Sequence, residues 1–318
     1  MPPRRVIGLD AGGSKLLGGV VDEDLVVHHR VRRTWRGADR REALDIIVEA
    51  VDEVRAAAPD VVAAGFGIPA LVDQETGVSR WSTHLPLEDV PFRDLMSERL
   101  ALPVEVDNDS TAALVAEHRA GAARGARHAA LIALGTGIGG GLLLDGRIYR
   151  GAHGLGGELG HIVVDLDGPD CQGNCPGRGC LEVMASGTAI GVAGREAGRR
   201  VPDSELGRRA AVGAEITGAL VTELAHGGDR VAIQALAMVG RRLGAGITTV
   251  VNALNPEVVV IGGGAVAAGD LLLEPAREVV AERALPPVRE RVRIVPAHFG
   301  DESGMLGAAL LALEAVGG

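Results

Sequence analysis

The segment GLDAGGSK, residues 8–15, is a glycine-rich turn between two apolar runs. The runs predict strands over Val6–Leu9 and Leu16–Val21. Glycine lets the backbone approach a bulky anion, and the amide groups of such a turn can point at phosphate oxygens. Asp10, near the end of the first strand, is an acceptor suited to Mg²⁺ or its waters. The segment therefore predicts two strands joined by a tight glycine turn, for which phosphate binding is an alternative.

A second turn of the same design is GTGIGGG, residues 135–141, between the predicted strands Ala129–Leu134 and Gly141–Leu144. Its glycines match the dinucleotide pattern G-x-G-x-x-G, but that pattern requires a helix directly afterwards. Here LLLDGRIYR follows, which predicts a hairpin with an Asp-Gly turn. A tight hairpin without a ligand is the alternative for either segment alone. Two segments of like design favour phosphate loops in two related lobes.

A third turn, GGGA at residues 262–265, follows the apolar run in NPEVVVI. It stands at a predicted strand-to-helix junction and could border the sugar or base of a nucleotide. The predicted phosphate- and nucleotide-binding residues of the three turns are Asp10, Gly12, Gly13, Ser14, Lys15, Gly135, Thr136, Gly137, Gly262 and Gly263.

Predicted strands and helices alternate along the chain, which indicates the α/β class. The other predicted strands are Val61–Phe66, Val104–Val106, Arg147–Tyr149, Val258–Ile261 and Val292–Val295, and the predicted helices are Arg40–Ala58, Pro91–Leu100, Ser110–Ala120, several over 186–254, one near 271–284 and Ser303–Ala315. A break between the halves is expected near residues 110–125. A single doubly wound domain is the alternative.

Charge and composition argue against nucleic-acid and membrane partners. The net charge is −10, and no Lys/Arg cluster offers an electrostatic footprint for nucleic acid. No run reaches the roughly 18 uncharged apolar residues of a membrane span. Asp10 and Lys15 interrupt the N-terminal apolar run before a signal peptide could form. We expect a soluble cytoplasmic protein that binds neither nucleic acid nor membrane.

One predicted strand delivers three polar residues, Asp107, Asn108 and Asp109, to the start of a helix. Asn or Asp is a favourable N-cap, and capping needs only one of them. The helix dipole favours an ionised Asp109, which suits a base that accepts a proton from a hydroxyl group. From these residues alone, an N-cap and a catalytic base are equal alternatives.

The three cysteines of the chain, Cys171, Cys175 and Cys180, all lie in CQGNCPGRGCLE, residues 171–182. An odd number in one turn-rich segment argues against a disulfide framework. Three thiolates and one imidazole make a closed tetrahedral Zn²⁺ site of the structural kind. Three unliganded surface thiols are the alternative.

Two histidines are alternatives for the fourth zinc ligand: His161, in the motif GGELGH, and His153. Glu158 lies three residues before His161, and Glu182 lies two residues after the last cysteine. A zinc ion would order this loop and hold the two glutamates near one another, facing a polar ligand.

The chain resembles the ROK family of repressors, open reading frames and kinases, especially its bacterial glucokinases. The resemblance is carried by GLDAGGSK, VDNDSTAA, LGTGIGGG, GGELGH, the cysteine cluster ending in GCLE, NPEVVVIGGG and DESGMLGAA. It implies an actin-like (ribonuclease H-like) sugar kinase fold with two α/β lobes and an interlobe cleft. The smaller lobe is then expected over residues 1–112, joined by the C-terminal helix (303–318), and the larger lobe with the zinc loop over residues 113–302.

The resemblance also implies ATP-dependent phosphorylation of a hexose at its 6-hydroxyl group, most directly of glucose, with Mg²⁺ accompanying ATP. Asp109 resembles the general base, and the sugar-binding residues of the family are matched by Asn108, Asp109, Glu158, His161 and Glu182. The residues that resemble the ligands of a structural Zn²⁺ are His161, Cys171, Cys175 and Cys180. THLP, residues 83–86, stands where many members have an Asn-Leu pair, so His84 leaves the choice of sugar open.

Other functions of the family are less consistent with this sequence. Sugar-responsive repressors carry a winged helix ahead of the first phosphate loop, whereas five residues precede Val6 here. A sugar-binding pseudokinase is disfavoured because Asp10, Asp109 and both loops are present. An N-acylhexosamine, fructose or mannose in place of glucose, and polyphosphate in place of ATP, remain alternatives. We expect a homodimer or homotetramer.

Overall fold

The structure is a computed structural model that describes residues 3–13, 15–34, 39–82 and 85–317. Strands and helices alternate along it, so the predicted α/β class is confirmed. The residues form two compact units. The first comprises the chain up to Arg127, Gly140–Gly157 and the chain from Ala297 onward, and the second comprises His128–Gly139 and Glu158–Pro296.

The strands follow the predicted pattern at both glycine turns. The first turn joins β1 to β2, and the second joins β8 to β9. The strands of the described chain are β1 (Arg5–Ala11), β2 (Lys15–Asp22), β3 (Val27–Thr34), β4 (Ala64–Ile68), β5 (Leu71–Asp73), β6 (Val78–Trp81), β7 (Val104–Asn108), β8 (Ala129–Leu134), β9 (Ile138–Leu144), β10 (Arg147–Ile148), β11 (Val258–Gly262) and β12 (Arg293–Pro296).

The helices of the described chain are α1 (Arg40–Ala57), α2 (Phe92–Leu100), α3 (Asp109–Ala120), α4 (Leu181–Ala185), α5 (Gly187–Arg200), α6 (Glu205–Ala211), α7 (Gly218–His226), α8 (Arg230–Leu254), α9 (Asp270–Arg283), α10 (Pro286–Arg289) and α11 (Ser303–Gly317). None of these described helices has both the length and the apolar character needed to cross a bilayer. The lobe boundary expected between residues 112 and 113 falls inside α3, and the first unit continues beyond it to Arg127.

The sheet of the first unit has the strand order β3-β2-β1-β4-β7. Strands β1, β2 and β3 are antiparallel, whereas β4 and β7 run parallel to β1. In this register Asp10 pairs with Gly67, and Gly67 pairs with Asp107. The carboxyl ends of three parallel strands therefore bring the residues of two predicted site segments side by side.

Helix α11 packs directly on the backbone of β1 and β4. Gly8 and Gly65, which are paired in these strands, face the helix. A Cβ atom on Gly8 would clash with the carbonyl oxygen of Met305, and one on Gly65 would clash with that of Ala308. The helix buries its apolar side chains in this interface, and Met305 is fully buried. The C-terminal helix is thus part of the first unit.

The opposite face of this sheet carries α1 and α2. Helix α1 begins at the N-cap Asp39, whose side chain accepts the amide hydrogen of Glu42, and it buries an apolar stripe that includes Ile47 and Val51. Phe66 of β4 and Phe92 of α2 pack edge to face, with ring centroids 5.3 Å apart. This core holds β4 and β7 from the side away from α11.

A second sheet has the strand order β10-β9-β8-β11-β12. Within the second unit, β8, β11 and β12 are parallel. The run Val258–Ile261, predicted as a strand, is fully buried and lies within β11. The long helix α8 begins at Asp229, which caps it, and ends at Asn255 in the left-handed conformation. The unit therefore has the layered α/β construction expected from the sequence.

Candidate active site

Two carboxylates of the first unit meet at the carboxyl ends of its parallel strands. A Cβ atom built on Gly67 would lie 3.8 Å from Oδ1 of Asp10 and 3.2 Å from Cα of Asp109. Burial, and then the negative charges of Asp109 and Asp301, raise the pKa of Asp10 well above its usual range. Oδ1 of Asp10 is buried and has no hydrogen-bond partner within the described ranges. Such an oxygen, beside two more carboxylates, fits the coordination that Mg²⁺ prefers.

The N-terminus of α3 separates the two roles considered for Asn108 and Asp109. Oδ1 of Asn108 accepts the amide hydrogens of Ser110 and Thr111 at 3.0 and 3.1 Å, so Asn108 is the N-cap. Asp109 is the first residue of the helix, and its Oδ1 accepts the amide hydrogen of Ser110 at 2.6 Å. Because Asn108 caps the helix, Asp109 is not needed for that task.

A buried ion pair fixes the end of β7 just before these two residues. Asp107 is 1% exposed. Its Oδ2 accepts hydrogen bonds from Nε (2.8 Å) and Nη2 (2.6 Å) of Arg150. Its Oδ1 accepts Gln74 Nε2 and the amide hydrogen of Asn108, each at 2.9 Å. Burial raises the pKa of Asp107, and the charge of Arg150 offsets part of that increase. Neither Arg150 nor Gln74 was predicted, since no local pattern links them to β7.

The first glycine turn contains Gly12 and Gly13 between β1 and β2, while Ser14 lies outside the described residues. Lys15 follows it, with Nζ 3.9 Å from Oδ2 of Asp301. Asp301 also pairs with Arg32 at 3.2 Å. Asp301 was not predicted as a site residue, although it opens the motif DESG that begins α11. Lys15 is therefore paired with a carboxylate whose negative charge also raises the pKa of Asp10.

The glycine loop of the second unit, Gly135–Gly137, presents backbone amide groups. The amide hydrogen of Gly135 is donated to the carbonyl oxygen of Gly137 at 3.0 Å, which closes the turn. The amide hydrogens of Thr136 and Gly137 have no hydrogen-bond acceptor among the residues that the structure describes. Two unpaired amide groups in succession suit a phosphate oxygen.

The third predicted turn adjoins this loop. Gly262 of β11 pairs with Ala133 of β8, directly before the second glycine turn. Gly263 has a φ of +80°, and a Cβ atom there would lie 2.5 Å from the carbonyl oxygen of Leu134. The close approach of the two backbones requires glycine at this position. Two of the three predicted nucleotide-binding turns therefore lie next to each other in the second unit.

Four potential metal ligands, His161, Cys171, Cys175 and Cys180, have donor atoms within 4.8 Å of one another. Ligand bonds of about 2.0–2.3 Å around a tetrahedral zinc ion place such atoms about 3.5–3.8 Å apart, so this donor set fits Zn²⁺. Burial is the main cause that raises the pKa of the Cys171 and Cys180 thiols. Of the two candidate histidines, His161 lies with the three cysteines, and His153 is not part of the cluster.

Both predicted sugar-binding glutamates contact this cluster. Oε2 of Glu158 lies 4.0 Å from Nε2 of His161. Glu182 is 2% exposed, and its Oε1 lies 3.8 Å from Sγ of Cys171. Its Oε2 accepts the amide hydrogen of Ile138 at 2.8 Å, a contact that the sequence did not predict. Glu182 thus connects the cysteine loop with the first residue of β9.

Comparison with known proteins gives consistent results over the full chain. The family model described as ROK family matches residues 6–315. A glucokinase of Thermotoga maritima is 34% identical over 320 residues, which cover 100% of each chain. The solved structure of a ROK family glucokinase from Streptomyces griseus, in complex with glucose and AMPPNP, has 31% identity, a TM-score of 0.90 and coverage of 98% of this chain and 99% of that chain.

A regulator is similar to the chain as well. The putative xylose repressor of a Caldicellulosiruptor species is 32% identical over 276 residues, which cover 86% of this chain and 68% of the repressor.

Proposed function

The chain belongs to the ROK family, and from this premise we propose that it transfers the γ-phosphoryl group of ATP to the 6-hydroxyl group of glucose. Its fold is the actin-like two-lobe sugar kinase fold. It is an ATP-dependent hexokinase of the glucokinase type, as expected from the motifs. The observation that carries the proposed chemistry is Asp109, relieved of capping by Asn108 and placed beside Asp10.

In the proposed reaction, the carboxylate of Asp109 accepts the proton of the 6-hydroxyl group while the sugar oxygen bonds to the γ-phosphorus and ADP leaves. Phosphoryl transfer depends on positioning and charge neutralisation more than on covalent help from the protein. The Asp107–Arg150 pair supports the position of Asp109, because it holds the backbone of β7 directly before the helix.

The proposed phosphate-binding groups are the turn residues Gly12, Gly13, Ser14, Lys15, Gly135, Thr136 and Gly137, with Gly262 and Gly263 bordering the nucleoside. When bound with ATP, Mg²⁺ neutralises phosphate charge. The unpartnered oxygen of Asp10 supports a role in holding that ion or its waters.

The proposed sugar-binding side chains are Asn108, Asp109, Glu158, His161 and Glu182. Carboxylates are strong acceptors for hydroxyl donors. With few aromatic side chains in the chain, hydrogen bonds must supply the specificity. The proposed structural zinc ion, held by His161, Cys171, Cys175 and Cys180, would keep Glu158 and Glu182 in place before the sugar arrives. Free cysteines and ATP as substrate support a cytoplasmic location.

A coupled kinase assay tests the proposal. The purified protein is offered glucose, mannose, fructose or N-acetylglucosamine, each with MgATP or polyphosphate. We expect the highest kcat/KM with glucose and MgATP, and glucose 6-phosphate as the product. 6-Deoxyglucose is the matched control, because it lacks only the acceptor hydroxyl group. Absence of phosphorylation with every sugar and donor would overturn the proposal, and a higher kcat/KM for another pair would replace glucose or ATP by that compound.

A further inference from the structure

Helix α5 begins against the glycine loop of the second unit. The amide hydrogen of Gly187 is donated to the carbonyl oxygen of Gly135 at 2.9 Å. The hydroxyl group of Thr188 donates a hydrogen bond to the carbonyl oxygen of Thr136 at 2.7 Å. A Cβ atom on Gly187 would lie 2.7 Å from the same oxygen of Gly135, so the close approach requires glycine there. Two successive carbonyl groups of the loop are therefore held by the first two residues of α5.

These contacts fix the direction of the loop's amide groups. In a planar trans peptide, the carbonyl group of one residue and the N–H group of the next point in opposite directions. Since the carbonyl group of Gly135 faces α5, the N–H group of Thr136 faces away from it. The carbonyl group of Thr136 faces Thr188, so the N–H group of Gly137 also faces away. These are the two amide groups that meet no acceptor in the described part of the chain.

The next amide group along the loop has a different partner. The amide hydrogen of Ile138 is donated to Glu182 and is therefore not available to a ligand. The amide groups of Thr136 and Gly137 thus lie between two anchors, α5 before them and Glu182 after them. A loop held at both ends needs little ordering when an anion binds, which conserves binding free energy.

We propose that Thr188 is a positioning residue for the phosphates of the nucleotide. Its hydroxyl group does not contact ATP; it orients the peptide between Thr136 and Gly137 so that the amide hydrogen of Gly137 can be donated to a phosphate oxygen. The proposal rests on the proposed kinase function, because ATP is the ligand of the loop. Thr188 is exposed, so core packing does not explain a threonine at this position.

The test compares Thr188→Val, which keeps the shape and removes the hydroxyl group, with Thr188→Ser, which keeps the hydroxyl group. Thr249→Val is the matched control, since Thr249 is also exposed and donates its hydroxyl group to a backbone oxygen, that of Ala245, within α8. Calorimetry with AMPPNP gives the Kd for nucleotide, and steady-state assays give KM for MgATP and for glucose. Zinc content and Tm are measured for every variant.

We expect Thr188→Val to raise the Kd for AMPPNP and the KM for MgATP by roughly 5- to 10-fold, which corresponds to about 1–1.4 kcal/mol and to the loss of one hydrogen bond. The KM for glucose and the zinc content should stay within about twofold of the wild-type values, a change of less than about 0.5 kcal/mol. Thr188→Ser and Thr249→Val should bind nucleotide like the wild type.

Equal nucleotide affinity of Thr188→Val and the wild type would overturn the role of Thr188 while leaving the kinase function intact. So would a lower Tm of Thr188→Val without a change in Kd, because that result describes a purely structural threonine. If the wild-type protein neither binds AMPPNP nor uses ATP, the kinase function itself fails, and the role of Thr188 fails with it.

Discussion

Asn108 and Asp109 have different hydrogen-bonding positions at the start of α3. The oxygen of Asn108 is committed to the backbone of α3. An uncharged amide can do this, whereas a base must keep a carboxylate oxygen for the proton it receives. The sequence alone could not separate the roles, because both residue types are good N-caps. The hydrogen-bond geometry shows that Asn108 is the N-cap, which leaves Asp109 for the proposed role of base.

Asp109→Asn is expected to lower kcat by about 10²- to 10⁴-fold, since an amide cannot accept the proton of the 6-hydroxyl group. Glucose binding should persist, because the asparagine still offers polar atoms to the sugar. Calorimetry with glucose and the coupled assay check the two expectations separately. Asp24→Asn, at an exposed turn residue, is the control. Near-wild-type turnover of Asp109→Asn would remove Asp109 from the role of base.

Asp10→Asn should stabilise the protein at neutral pH in the absence of nucleotide and magnesium. The pKa of Asp10 is raised in the folded state, so between the unfolded value of about 3.9 and the folded value the native state binds more protons than the unfolded state. Wild-type stability therefore falls as pH rises through that window, and the asparagine variant lacks this loss.

The expected gain in the free energy of unfolding is on the order of 1 kcal/mol or more at pH 7, since one pKa unit corresponds to about 1.4 kcal/mol. The gain should disappear below about pH 3, where Asp10 is protonated in both states. Urea unfolding between about pH 3 and pH 8 measures it. A difference between variant and wild type that does not change with pH would contradict the assignment.

At the scale of elements, the cysteine loop supports two parts of the site. Glu182 accepts a hydrogen bond from the amide group of the first residue of β9. Gln172, which lies between two cysteines, donates a hydrogen bond from Nε2 to Oγ of Ser186 at 3.0 Å. Ser186 is the N-cap of α5 and accepts the amide hydrogen of Ala189 at 3.2 Å. Both contacts end at residues that adjoin the second glycine loop. The state of the cysteine loop should therefore influence nucleotide binding as well as sugar binding.

Cys180→Ser should lose zinc and raise the KM for both glucose and MgATP. The physical reason is that the loop loses the cross-link that orders Glu182 and Gln172, as expected when a structural zinc ion is removed. Zinc content is measured by elemental analysis, and order in the loop by its protection from proteases. Asp170→Asn, at an exposed residue of the same loop, should retain zinc and both KM values. An active protein that contains no zinc would contradict the metal site.

The elements that the sequence missed have little apolar signal. The strand β3, VHHRVRRT, is an edge strand with exposed His and Arg side chains, so no apolar run marks it. The pair β5 and β6 is too short for a period to emerge. The run Val61–Phe66 was predicted as a strand, yet β4 begins at Ala64. A continuous apolar run indicates that residues are buried, but it does not fix where the extended backbone of the strand begins.

The site shows the same division. Motif residues such as Asp10 and Gly135 could be proposed for the site from the sequence, because the local spacing of residue types indicates their chemistry. Arg150, Asp301 and Thr188 could not, because each acts on a segment that is distant in sequence, and only the folded chain brings them together. Local patterns identify strands, turns and ligand types, whereas the partners that orient them are set by tertiary packing.

For the whole molecule, one contact that leaves no room for a side chain is the packing of α11 on the first sheet. Gly65→Ala places a methyl group against the carbonyl oxygen of Ala308, and the neighbouring atoms are backbone, which cannot rotate away. We expect a loss of about 3 kcal/mol or more in the free energy of unfolding, at the upper end for overpacked positions. Thermal and urea unfolding measure it.

Gly264→Ala is the control for this prediction. A Cβ atom on Gly264 meets nothing within 4 Å, and its φ lies outside the left-handed range. Its stability should match that of the wild type within about 0.5 kcal/mol, as is usual for substitutions away from packed positions. A fully stable Gly65→Ala variant would mean that α11 does not dock on the sheet as described.

The same contact sets the order of events on the ribosome. The strands β1 and β4 are made early, and the helix that covers them is made late. At a synthesis rate of about 5–20 residues per second, the chain between β4 and α11 takes on the order of 10–50 s to emerge. During that interval the first sheet exposes a glycine-lined face, while every residue of the second unit is synthesised and free to fold. The unit that begins first is thus completed last.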